Sequence, residues 1–301
     1  MSEPFEVHDP EFHRLVPQES TIERVAGGFG FTEGPVWHRD ALLFSDIPAS
    51  RTVQWRQLPE GPEVTTFRTP TGKANGLTLD KQGRLIRCEH SGRRVSRLEG
   101  DSTITTLAAQ YESKRLNSPN DVVVKSDGSV YFSDPPYGLQ PSSAGDPEPG
   151  AVQELAFQGV YRIGADGVLT LLVDDFDRPN GLAFSPDERL LYIDDTTRRQ
   201  VRVFDVQPDG SLAHGRMFAE MQSPDEGGPD GMKVDVEGNL YCTGPGATWV
   251  YTAAGKLLGR IVTPERPANL AFGDSDCMTL YLTARTSIYR VRVTVPGIAV
   301  P

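Results

Sequence analysis

The chain has 301 residues and a mass of 33.0 kDa, enough for one large domain or two ordinary ones with a substantial core. Its 30 Lys and Arg against 41 Asp and Glu leave a net charge of −11, which argues against nucleic acid or an anionic membrane as a partner. Three scattered cysteines, Cys88, Cys242 and Cys277, are too few for a disulfide framework and read as reduced core thiols. The opening stretch, Met1–Val16, shows neither a signal-peptide pattern nor a run of about 18 apolar residues, so the expected location is cytoplasmic.

Along the chain one pattern recurs: a small polar residue opens an apolar run, a turn follows, and a second β-rich run comes after it. The copies begin at Glu33, Asn75, Asn120, Asn180, Asp230 and Asn269, at intervals of 42, 45, 60, 50 and 39 residues. These intervals approximate the ~40–45 residues of a four-stranded propeller blade. The second runs read LLFSD (42–46), LIRCE (85–89), VYFSD (130–134), LYIDD (191–195), LYCTG (240–244) and LYLTA (280–284), rich in residues that suit buried strands. No amphipathic helical period competes. The expectation is an all-β, six-bladed β-propeller filling 1–301 as a single domain, with many tight reversals supplied by 30 Gly and 24 Pro. Residues 1–30 form an N-terminal extension that contains a closing strand, STIERVAGG, expected to pair with SIYRVRVTV near residue 287. The long interval marks a loop insertion at Pro135–Gln158, placed at a blade junction and read as a lid.

Innermost strands of a propeller line one channel, so the six anchors should gather around the axis although they lie far apart in sequence. They form a ring of carboxylates and carboxamides without Cys or His, a donor set that suits Ca²⁺ first, with Mg²⁺, Mn²⁺ or Zn²⁺ as alternatives. Asn-Gly and Asp-Gly also serve as plain turns, but here each pair opens an apolar run instead of joining two strands. Four of the second runs end on a carboxylate, Asp46, Glu89, Asp134 and Asp195. Asp195 is singled out as able to reach a metal beside Asn180, whereas Asp46 and Asp134 read as turn-capping carboxylates. His90, after Glu89, is a weaker candidate for orienting a substrate. The chain lacks the G-x-S-x-G, G-x-x-x-x-G-K-[ST], G-x-G-x-x-G and H-E-x-x-H motifs, which leaves metal-assisted chemistry.

FTEGPVW (31–37), NGLTLDKQGRLIRCEH (75–90), LNSPNDVVVKSDGSVYFSDPPYGL (116–139), RPNGLAFSPDERLLYIDDT (178–196) and PDGMKVD (229–235) together resemble the gluconolactonase, regucalcin and luciferin-regenerating-enzyme superfamily of six-bladed propellers, most closely its bacterial gluconolactonase branch. The resemblance implies that Glu33, Asn180 and Asp195 are divalent-metal ligands and that Asn120 lies beside the metal and the substrate. It departs at Ser118, where the animal members carry an Arg used toward the sugar. The implied activity is metal-dependent hydrolysis of a small-molecule sugar lactone, of the glucono-1,5-lactone kind, to the aldonic acid. In that reading the metal polarises the carbonyl, Asp195 activates water, and Asn120, Asn75, His90 and Asp230 bind sugar hydroxyls. The alternatives are a non-catalytic propeller with a structural metal and a hydrolase of a non-sugar lactone or ester.

Overall fold

A computed structural model describes residues 3–142 and 144–300. Six antiparallel sheets surround one axis, and each is built outward from an innermost strand. Blade 1 comprises Thr32–His38, Ala41–Asp46, Arg51–Leu58 and Gly61–Arg68. Blade 2 comprises Ala74–Leu79, Leu85–Glu89, Arg94–Leu98 and Ile104–Ala108. Blade 3 comprises Val122–Val124, Val130–Asp134, Gln158–Ile163 and Leu169–Phe176, and blade 4 Pro179–Phe184, Leu190–Asp195, Gln200–Val206 and Leu212–Glu220. Blade 5 comprises Met232–Val234, Leu240–Thr243, Thr248–Tyr251 and Leu257–Ile261; blade 6 begins with Asn269–Gly273, Thr279–Ala284 and Ser287–Arg292. The six-bladed propeller expected from the repeat is the fold observed.

The second strand of every blade is buried on both faces, because each blade is sandwiched between two neighbours. This explains why these strands read as nearly continuous apolar runs and not as an alternation. The apolar contacts themselves form a closed ring. Val36 and Leu43 meet Leu77 and Leu85 at the seam of blades 1 and 2, and Cys88 and Val95 meet Phe132 and Tyr161 at the next. Blades 3 and 4 join through Tyr131 and Ile193, blades 4 and 5 through Tyr192 and Met232. Tyr241 meets Leu270 between blades 5 and 6, and Tyr281 packs with Trp55 and Phe44 between blades 6 and 1.

Glu23–Gly27 supplies the outermost strand of blade 6, pairing with the last strand in the register Glu23↔Arg290 and Gly27↔Ser287. Further upstream, Phe5–Val7 adds a fifth strand to blade 5, with Phe5 opposite Ile261. The short helix Phe12–Leu15 then buries Phe12 and Leu15 in the cluster shared by blades 5 and 6. Two sequence expectations need correction. The long insertion joins the second and third strands within blade 3 and does not lie at a junction between blades. Spacing between anchors counts the extra residues without saying which turn holds them. Among the thiols, Cys88 and Cys242 are core residues, but Cys277 sits partly exposed in a turn. No helix among the described residues is long and apolar enough to cross a membrane.

Candidate active site at one mouth of the channel

Each anchor lies at or just before the start of its innermost strand, so all six fall on the same end of the channel. The glycines after them are needed for close approach. A Cβ at Gly34 would fall 2.0 Å from the Asn75 carbonyl oxygen, and one at Gly181 would fall 2.0 Å from that of Asp230. Small hydroxyls on the second strands pin the same backbone: Ser45 Oγ donates to the Asn75 carbonyl at 2.7 Å, and Ser133 Oγ to that of Asn180 at 2.7 Å.

The side chains form a nearly continuous arc. Asn75 Nδ2 donates to Asn120 Oδ1 at 2.6 Å, and His90 Nε2 lies 3.1 Å from the same oxygen. Asn120 Nδ2 donates in turn to Asn180 Oδ1, and Asn180 Nδ2 to Thr196 Oγ1 at 3.0 Å. The Asn180 amide also favours the ionised form of Asp230, whose charge faces Glu33. Glu33 Oε2 accepts from Asn269 Nδ2 at 2.9 Å and from the Gly34 N–H at 2.5 Å, closing the arc. Glu33, Asn75, His90, Asn120, Asn180 and Asn269 are all buried, and Asp230 is the partly exposed member.

The electrostatics are those of a cluster with surplus negative charge. Burial, with a contribution from Asp121, pushes the Glu33 carboxyl up to about 7. Burial and the Glu33 charge likewise raise Asp230 well above the usual carboxylate range. Asp121, in the place that glycine takes in four of the other anchors, is 2% exposed and leaves its Oδ2 without a partner; the Lys233 charge partly offsets it. His90 is held neutral, because burial lowers its pKa to about 4.

Asp195 does not belong to this arc. Its Oδ2 accepts from the Asp177 N–H at 2.8 Å, and its Oδ1 from Arg178, Thr197 and Arg198 at 3.2, 3.1 and 3.1 Å. It therefore ties the segment entering blade 4 to the turn that leaves its second strand. Asp46 does the same for blade 1 by accepting from Gly30 and Phe31, and Asp134 for blade 3 by accepting from Asn117 at 2.7 Å. Glu89 at the equivalent place pairs with Arg87 and Arg94 at 3.0 and 2.8 Å. Asp195, expected as metal ligand and base, has its carboxylate oxygens taken up by four backbone N–H groups. Asp230, expected to bind sugar hydroxyls, is the carboxylate whose proton affinity the Glu33 charge raises.

The matched family model, SMP-30/Gluconolactonase/LRE-like region, spans residues 31–286, from just before the first anchor into the last blade. The chain belongs to this family. It is 31% identical to the gluconolactonase of Zymomonas mobilis over 94% of this chain and 84% of that one. The pentonolactonase XacC of Haloferax volcanii is 30% identical over 83% of this chain and 80% of that one. A solved gluconolactonase structure from Xanthomonas campestris superposes with a TM-score of 0.87 at 34% identity, covering 97% of this chain and 95% of that one.

Some residues at the family member's channel mouth escaped sequence reasoning. Tyr137 and Thr196 hydrogen-bond within the arc, although neither is one of the repeat anchors. For Tyr137 there is no sequence signal beyond the position of the insertion. At the opposite mouth, residues further along the same strands, among them Val36, Leu77, Phe184, Lys233 and Phe272, line an apolar cavity of about 440 Å³ that none of the anchors reaches.

Proposed function

We propose that the chain is a lactonase that opens a sugar lactone at the anchor-bearing mouth of the channel, using a divalent cation held by Glu33, Asn180 and Asp230 with Asn120 alongside. The observation that carries the proposal is the hydrogen-bonded arc of Glu33, Asn75, Asn120, Asn180 and Asn269 at one mouth of the channel, with the Asp230 anchor at the same end, in a chain related over most of its length to gluconolactonases. A polyhydroxylated lactone suits the many amide donors and acceptors around the mouth. A purely structural role for the mouth leaves the relationship to two lactonases without an account.

The donor set fits a hard cation. It offers two carboxylates whose proton affinity is raised, Glu33 by burial and the Asp121 charge and Asp230 by burial and the Glu33 charge, together with carboxamide oxygens and no thiolate. Such an ion, when bound, would polarise the lactone carbonyl and offset the charge that develops on its oxygen. Ca²⁺ is the ion of choice for this set, Mg²⁺ and Mn²⁺ the alternatives.

The protein groups do the rest. Asp230, the partly exposed carboxylate, accepts the proton of the attacking water while the water oxygen bonds to the carbonyl carbon. The ring C–O bond then breaks, and its oxygen takes up a proton, giving the hydroxy acid. Neutral His90 donates through Nε2 to Asn120 Oδ1 and so fixes the Asn120 amide with its N–H groups toward Asn180. Glu33 is oriented by Asn269 and the Gly34 N–H.

Purified protein mixed with glucono-1,5-lactone should release acid faster than the spontaneous reaction. Prior treatment with a chelator should remove the excess rate, and added Ca²⁺, Mg²⁺ or Mn²⁺ should restore it. An excess rate that survives exhaustive chelation would remove the cation from the proposal, and no excess rate on any sugar lactone would remove the activity.

A further inference from the structure

The insertion in blade 3 turns back over the channel mouth at a short 3₁₀ turn, Tyr137–Leu139, that is fixed from below. The Gly138 N–H donates to Ser118 Oγ at 2.9 Å, and Ser118 Oγ donates to the Pro135 carbonyl at 2.6 Å. There is no room for a larger residue, since a Cβ on Gly138 would lie 2.8 Å from both His90 and Ser118. More distal parts of the loop are tied to blade 2, through Lys73 Nζ to the Asp146 carbonyl at 2.7 Å and Ser91 Oγ to Glu148 at 2.8 Å.

This turn sets Tyr137 against the arc. Its ring lies under the Arg178 guanidinium at 5.6 Å, and its hydroxyl oxygen accepts from Asn180 Nδ2 at 3.5 Å. The hydroxyl also lies beside Thr196 and within the field of Asp230, and burial keeps the phenol in its neutral form. Thr196 Oγ1 sends its own hydrogen to the Pro229 carbonyl at 2.7 Å. Among the described residues the Tyr137 hydroxyl accepts from Asn180 but donates no hydrogen bond of its own, so its hydrogen is available to an acceptor that enters the mouth.

We propose that Tyr137 is a specificity-determining residue whose hydroxyl donates to a hydroxyl oxygen of the bound lactone, so that the site prefers polyhydroxylated lactones to unsubstituted ones. This inference rests on the lactonase reading. A site built around such a donor discriminates against a ligand lacking the matching oxygen, because a desolvated polar group is then left unpaired.

The test compares the full-length protein with Tyr137→Phe on glucono-1,5-lactone and on δ-valerolactone, which has the ring but no hydroxyls. The expected result for the variant is a KM for glucono-1,5-lactone raised about tenfold with kcat within about twofold, and an unchanged kcat/KM for δ-valerolactone. Gly138→Ala, which displaces the turn while keeping the phenol, should give the same selective loss in the fraction that remains folded. Equal losses on both lactones, or none on either, overturn the role given to Tyr137 while leaving the lactonase reading intact. A wild-type protein inactive on both lactones overturns the two together.

Discussion

His90 Nε2 lies 3.1 Å from Asn120 Oδ1, an oxygen that already accepts a hydrogen bond from Asn75. The oxygen can only accept, so Nε2 carries the hydrogen, and the buried ring is neutral with its pKa lowered to about 4. Unfolded, the same ring titrates near 6.5. Between these values the unfolded chain binds the extra proton, so this group's contribution is full above about 6.5 and is lost as the pH falls toward about 4. Urea midpoints measured from pH 4.5 to 7.5 should fall more steeply on the acid side for the wild type than for His90→Gln. Parallel curves would show that the ring is not held as described.

The assignment of Asp230 and withdrawal of Asp195 give opposite signatures. Asp230→Asn removes the proton acceptor and should lower lactone hydrolysis by about 100-fold or more, with little loss of stability because repulsion with Glu33 is relieved. Asp195→Asn replaces the oxygen facing the Asp177 N–H by an amide donor and should cost about 1–3 kcal/mol of stability. The Asp195→Asn protein that remains folded should keep kcat within about threefold, since its side chain touches none of the arc. Active-site titration combined with thermal melts separates the two effects, and an exchange of the two outcomes would reinstate Asp195.

Legibility in the sequence followed the repeat. The second strands were readable because sandwiching between blades imposes nearly continuous apolar runs, and the anchors because the glycines beside them answer a contact that recurs around the axis. Asp195 stands out among the carboxylates by its neighbourhood in sequence. Its equivalents Asp46 and Asp134 were already read as caps, and the repeat places Asp195 in the same position. Tyr137 depends on how a loop without periodicity folds over a remote blade. The fifth strand of blade 5 depends on pairing across more than 250 residues, which local pattern does not encode.

Asp134 should make stability depend on pH in the opposite sense to His90. Its Oδ2 accepts from Asn117, its Oδ1 has no partner, and burial raises its pKa from 3.8 to about 7. The folded protein therefore holds a proton that the unfolded chain has released. The favourable contribution is full below about 3.8 and declines as the pH rises through about 7. Asp134→Asn stays neutral and can still accept from Asn117 through its amide oxygen. The melting temperature of the variant, measured relative to wild type, should rise between pH 5 and pH 8; a constant difference would mean that Asp134 is ionised throughout.

Closure of the ring by Glu23–Gly27 predicts unequal effects of shortening the chain. Removing residues 1–8 deletes Phe5–Val7 from the outer edge of blade 5, where it makes a three-residue pairing, and should lower the melting temperature by a few degrees while leaving a soluble monomeric propeller. Removing residues 1–27 deletes the partner of Ser287–Arg292 and opens a backbone edge beside the buried side chains of Ile288, Tyr289 and Val291. It also takes Phe12 and Leu15 out of the cluster between blades 5 and 6. An unpaired strand of that kind seeks another chain. The longer truncation should therefore appear in the insoluble fraction or as large species in size-exclusion chromatography with light scattering. A soluble, cooperatively melting product would show that the ring closes without this strand.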